Sequence, residues 1–324
     1  MNININLKVS ALEKLLDMVA SGVGAVGGTM LARWKARAEA EVVRIEAQGK
    51  ADALRLIADA QTDARKILDT VPATLHGDVG VGNEIEARIS FQEEKRQSNI
   101  VSVVGMAAGE LKEKEVQNHE VDHDWAARFF EGVQDVSSEQ LQQIWSKILA
   151  GEVETPGRFS LNTLAILRNM RKNDAELFSK VAKFTIRDFI LNDISTQNVP
   201  EFPTFDELLH LDGLNLVRAG ADVYKTLRGE NIYFVNDMDI LYAVSRNRND
   251  KNAIYEVDIP CHLLSSQGKE LYSIIKQPKN IDYLRAFASF LNKNGNGILE
   301  CASIVSREGS SIQTDGLWVR IDPT

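Results

Sequence analysis

Cysteine is scarce, with Cys261 and Cys301 the only two in 324 residues. Two cysteines cannot build a disulfide framework, and a reduced compartment is the simpler setting. They form no CxxC set, and Cys261-His262 with Cys301 gives no support to a Cys/His nucleophile. Positive charge is also short, the formal net charge being -9 at pH 7. Phosphate binding needs clustered Lys and Arg, so nucleic acid is not an expected partner. Long apolar runs are missing too. Met18 to Ala32 carries no charged residue, but it is glycine-rich and shorter than the ~20 residues a bilayer span takes. The start, MNININLKVSALEKLL, lacks the basic and apolar regions of a secretory signal. The expected location is the cytoplasm, with peripheral contact at the inner membrane as the alternative. What is present is ordinary: 44% hydrophobic and 26% charged residues suit a soluble globular protein. The length leaves room for about two domains.

The densest apolar periodicity runs from Asp124 to Asp174. Trp125, Phe129 and Val133 are four apart and Phe130 widens their face, which predicts an amphipathic helix. Ser137 and Ser138 offer the cap of a second helix, which carries Leu141, Ile144, Trp145, Ile148 and Leu149 and stops near Gly151. Pro156-Gly157 makes a turn, and Ser160 caps a third helix with Leu161, Leu164, Ile166, Leu167 and Met170. Three such stripes must pack on one another. They form a core with no visible chemistry.

These residues carry a resemblance. Trp125…Arg128-Phe129-Phe130, then Gln143-x-Trp145-x-Lys147-Ile148-Leu149-Ala150-Gly151-Glu152, then Pro156-Gly157-x-Phe159-Ser160-Leu161-x-Thr163-Leu164 resemble an uncharacterised bacterial family, a domain of unknown function. The shorter LAGE…PG…S…TL core is similar to one in the Abi-alpha family, named for abortive infection. The resemblance reaches upstream to Arg88 and more loosely downstream to about Phe287. It brings no catalytic residues, and it implies a context of phage defence by association alone.

Upstream, Ile3, Ile5 and Leu7 alternate as a short strand would, and Leu12, Leu15, Leu16 and Val19 predict an amphipathic helix. Gly22, Gly24 and Gly27 spell GxGxxG, but a dinucleotide site needs that motif between a strand and a helix of a βαβ unit. A helical pattern precedes it here. The Gly24/Gly28 spacing instead suits close helix packing, and residues 11–32 are the candidate membrane contact. Residues 33–69 are rich in Ala, Glu, Arg and Lys without proline, a strong helix composition. Trp34, Val42, Ile45, Leu54, Ile57 and Leu68 make a thin apolar seam that wants a partner along its length. Homo-oligomerisation is the reading of that arm. The alternative is a helix folded back on its own domain. Residues 70–88, with a proline and three glycines, read as a linker. A helix over 89–115 follows, apolar from Ile100 to Ala108.

His119-Glu120-Val121-Asp122-His123 matches HExxH, which on a helix faces two histidines one way to hold zinc. The flanks are a polar junction, and no motif supplies a third ligand beyond His210, His262 or a carboxylate. His119 and His123 are therefore weak metal candidates, and no cofactor is expected.

Downstream, a helix is expected from Asn173-Asp174 through FIL at 189–191. Thr204 caps a short helix ending near Gly213, and strands are expected over Asn231–Val235, Leu241–Ser245 and Ala253–Asp258. A helix at 281–291 and a terminal hairpin close the chain. The order resembles a winged helix, but FDELLHLDGLN is too acidic to read DNA, so the wing is expected to be structural or to bind a protein partner. The fold class is α+β, mostly α: an N-terminal helical arm (1–69), a linker (70–88), a central helical core (89–200), and a C-terminal winged-helix-like part with short antiparallel strands (201–324). The function expected is a non-enzymatic, self-associating interaction protein of the abortive-infection kind. The alternatives are a membrane-active effector using 11–32 and a zinc hydrolase at His119/His123.

Overall fold

The computed structural model describes residues 8–23, 81–112, 114–117, 119–220, 223–229, 231–235, 240–246, 255–275, 277–308 and 311–323. The fold is α+β, with helices throughout and antiparallel sheets in the C-terminal half. It divides into two compact units. One comprises the residues up to Ser137 with Leu149–Gly157, and the other Ser138–Ile148 with Arg158–Thr324.

In the first unit, β1 (Lys8–Ser10) pairs antiparallel with β2 (Glu115–Gln117). It leads into α1 (Ala11–Val23). α1 turns Ala11, Leu15, Met18 and Val19 inward, the i, i+4, i+7, i+8 stripe of a one-faced helix, and packs on α3 (His123–Val133). Gly22 lies inside α1, where an added Cβ would stand 2.3 Å from the Phe130 ring. Its missing side chain is thus a packing requirement, and GxGxxG begins within a helix. α2 (Val81–Glu110) starts inside the stretch read as linker. Its second half buries Ile100, Val103, Val104 and Ala107, as the apolar run predicts. Asn99 Nδ2 donates to the Gln134 carbonyl at 2.8 Å and closes the end of α3. At the other end of α3, Asp122 caps Trp125 N at 2.9 Å. Trp125 stacks on Phe129, with centroids 5.2 Å apart, and Phe129 meets Phe130 edge-on.

α4 (Glu139–Glu154) runs through Gly151 and does not stop there. One glycine inside a helix costs only about 1 kcal/mol, and the stop comes from Pro156, which cannot continue the ladder.

In the second unit, α5 (Leu161–Asn169) is capped by Ser160 as expected. α6 is Lys172–Ala182, shorter than the helix expected through residue 191. Arg187 takes a left-handed φ of 57°, and Phe189–Leu191 becomes β3, pairing with β8 (Tyr255–Leu264). A three-residue apolar run buried throughout does not reveal by periodicity whether it is helix or strand. α7 (Phe205–Gly213) carries the Thr204/Glu207 capping box and ends where expected. Then come β4 (Val217–Arg218), β5 (Tyr224–Gly229), β6 (Asn231–Val235) and β7 (Ile240–Arg246). After β8 lie α8 (Ser266–Tyr272), α9 (Ile281–Gly295), β9 (Gly297–Glu308), β10 (Ser311–Thr314) and β11 (Val319–Arg320).

One sheet has the order β3-β8-β4 with β5 also on β8. The other runs β10-β9-β7-β6 with β11 on β9. β6 and β7 form the hairpin of the wing-like reading, whereas β5 carried no alternation clear enough to announce it. α9 packs on β8 and β9, and Tyr283 Oη accepts from Leu191 N at 2.8 Å in a fully buried setting. Burial raises the Tyr283 phenol well above its ordinary value.

Candidate functional site

In the first unit, the Gly151-Glu152…Pro156-Gly157 stretch folds on itself. Glu152 is 1% exposed, and its carboxylate accepts from Gly157 N at 2.5 Å. Gly157 has φ +82°, a conformation that favours glycine at this turn. Lys14, from α1, is 7% exposed. Burial lowers its ammonium pKa and the Glu152 charge partly restores it. A buried cation and a buried anion thus tie α1 to the end of α4. Beside this turn, Lys114, Glu115, Val116, His119, Glu154, Thr155 and Pro156 line an open cleft of about 730 Å³, bridged by a Lys114–Glu154 ion pair. Its lining mixes both signs of charge and shows no convergent set of reacting groups.

The histidines of HExxH fall apart on the fold. His119 lies ahead of α3, Asp122 is the cap, and His123 is the first helical residue. The two imidazoles therefore lack the shared helical face that the zinc reading requires. His210 accompanies Asp174 at 2.7 Å, and His262 is buried against Phe205, with ring centroids 6.3 Å apart. Among the described residues, no group of three or more His, Cys, Asp or Glu could hold a metal ion.

In the second unit, Ser160 and Thr163 are joined by Glu270, a residue the sequence did not single out. Glu270 Oε2 accepts from Ser160 N (2.7 Å), Ser160 Oγ (3.2 Å) and Thr163 Oγ1 (2.5 Å). The carboxylate sits at the start of α5, where unpaired N–H groups and the helix dipole favour an anion. The Ser-x-x-Thr of the motif is therefore a docking point for α8. Glu270→Ala is expected to lower stability by about 2 kcal/mol, read as a shifted urea midpoint. Glu270→Gln should retain part of the loss as a neutral acceptor.

Other titrating groups also look structural. Burial alone would raise Asp188, but hydrogen bonds from Lys225 and Lys269 outweigh it and hold the carboxyl below its usual range. The buried Cys261 thiol is pushed up to about 11, the opposite of an activated nucleophile. Burial pulls His262 below 6.5, against a hydrogen bond with the Gly220 backbone. A folded state that binds its proton less readily loses stability as pH falls below about 6.5 through the depressed folded value. The urea midpoint should fall between pH 7 and 5, and His262→Leu should flatten that slope.

The remaining motif residues are core. Trp125, Phe129, Phe130, Trp145, Leu149 and Leu164 are buried, Gly151 lies within α4, and Pro156 is half-buried. The seam residues Trp34, Val42, Ile45, Leu54, Ile57 and Leu68 lie outside the described residues. Of residues 11–32, the helical part to Val23 is packed on α3, and the rest lies outside the described residues. Among the described residues no helix is long and apolar enough to cross a membrane.

One surface stands out. Residues 84–95, nearly the whole first half of α2, are all exposed. Ile85, Ile89 and Phe91 among them are 41%, 51% and 63% exposed. Comparison with curated proteins and with solved structures finds no match. Residues 83–196, from the start of α2 to just past β3, match the family described as "Protein of unknown function (DUF2806)".

Proposed function

We propose that this chain is a non-enzymatic interaction protein that associates with itself. The observation that carries the reading is α2, a 30-residue helix. Its second half is core while its first half holds Ile85, Ile89 and Phe91 in solvent. A helix half with three large exposed apolar side chains is a surface that gains by being covered. Ile85 and Ile89 are four apart, on the same helix face as the buried Val103, so the core-facing stripe continues beyond the buried half of α2.

The test is the triple variant Ile85→Asp/Ile89→Asp/Phe91→Asp, followed by sedimentation velocity. All three side chains are exposed, so the helical circular dichroism should stay unchanged while the mass in solution falls. An oligomer of undiminished mass with its fold intact would contradict the reading. The setting proposed is phage defence, which the likeness of the LAGE…PG…S…TL core to the abortive-infection family supports. Cells carrying the unmodified chain should then show lower phage plating than cells carrying the triple variant.

A further inference from the structure

The second sheet ends on β6, whose sequence is Asn231-Ile-Tyr-Phe-Val235. Among the described residues β6 bonds only to β7, with Asn231 opposite Ser245 and Val235 opposite Leu241. Its other edge therefore presents backbone N–H and C=O groups with no described strand to receive them. Folded proteins blunt such edges with charge, proline or bulges. Most other edge strands follow that rule, since β5 carries Lys225 and Arg228, β4 carries Arg218, and β11 carries Arg320, while the apolar edge of β3 is covered by the Ile186–Phe189 bridge and by Tyr283 Oη on Leu191 N. β10 is mostly polar, as Ser-Ile-Gln-Thr. β6 has no charge, no proline and no glycine, and four of its five residues are apolar or aromatic. Ile232 and Phe234 are buried on the sheet's inner side, whereas Tyr233 is 52% exposed and lies 6.4 Å from the Trp318 ring.

We infer that β6 pairs antiparallel with β6 of a second copy, joining the two sheets across a two-fold axis at Tyr233. The inference rests on the self-association reading and assigns it a contact in the second unit, separate from α2. Two facts point to a second copy as the occupant. A two-fold pairing sets every residue of the strand against the strand itself, so an edge bearing charge would meet its own sign. Among the described strands with an open edge, β6 avoids this while remaining apolar. In the register centred on Tyr233, Ile232 lies opposite Phe234 of the second copy. Both are inward-facing, so the buried faces of the two sheets become continuous.

The experiment uses the full chain. Tyr233→Lys places a charge at the axis without emptying the core, and Trp318→Ala removes the ring contact without charging the edge. Light scattering should show a smaller species for Tyr233→Lys and an unchanged mass for Trp318→Ala. In a Cys301→Ala background, Tyr233→Cys should form an intermolecular disulfide on mild oxidation. The two Cα atoms are then directly opposite at about 5 Å. Asn231→Cys should not crosslink, because its counterpart lies roughly 13 Å along the strand. An oligomer of unchanged mass in Tyr233→Lys, with no crosslink at position 233, would overturn the β6 contact and leave self-association standing. A monomeric unmodified chain would overturn both.

Discussion

Glu152→Ala is expected to destabilise the first unit by about 3 kcal/mol, the cost of leaving the buried Lys14 charge without the buried Glu152 charge that offsets it. Glu152 is almost completely buried and Lys14 nearly so. Removing the carboxylate leaves the Lys14 ammonium without the anion that offsets its desolvation. It also leaves Gly157 N without its acceptor at the turn. Glu152→Gln keeps an acceptor for Gly157 but not the charge, so it should recover only the smaller share. The double variant Lys14→Met/Glu152→Leu separates the two causes. Replacing both charges by apolar groups of similar size is often neutral, so it should regain most of the loss. A double variant as unstable as Glu152→Ala would show that the Gly157 turn, and not the opposition of the two buried charges, carries the effect. Chemical denaturation followed by tryptophan fluorescence reads all three.

Gly268→Ala is the second large effect, and its cause is steric. A Cβ on Gly268 would stand 2.0 Å from the Leu216 carbonyl oxygen and 3.0 Å from the carbonyl carbon. The atoms it meets are backbone, and that backbone is already committed. Leu216 O accepts from Ser265 N at 3.0 Å, while Ser265 Oγ donates to Asn215 O and accepts from Gly268 N. Alanine forces α8 away from the chain leading into β4 and breaks this knot. The expected loss is about 3 kcal/mol or more, against the usual small gain when glycine becomes alanine inside a helix. Gly109 is the control. It lies in α2 with nothing within 4 Å of an added Cβ, so Gly109→Ala should be neutral or slightly stabilising. Equal stabilities for the two variants would contradict the packing described around α8.

How legible these features were depends on the range of the interactions that make them. The caps at Ser160, Thr204 and Ser265 bond to N–H groups three residues ahead, and their residue types announce them. The α3 stripe and β6 were readable for the same reason, because each is a local pattern, a four-residue apolar spacing in the first and a short run of β-branched and aromatic residues between turn residues in the second. Phe189–Leu191 was misread as helix because its strand character comes from β8, about seventy residues on. The apolar run alone does not decide it. Lys14 with Glu152 and Ser160 with Glu270 were invisible, since two remote buried charges or a remote cap leave no spacing in the sequence. The metal-like HExxH shows the converse, letters of a motif that stand at a helix start instead of on a helix face. The stretch from Trp125 to Leu164 was readable as three packed helices, but the roles of its polar residues were not. Glu152 and Ser160 look like site residues and instead fasten one element to another.

The most direct test of the central claim is the mass of the unmodified full chain in solution, measured by light scattering at micromolar concentration. Self-association predicts a defined multiple of the 36.0 kDa chain. A mass of 36.0 kDa across the concentration range would contradict it.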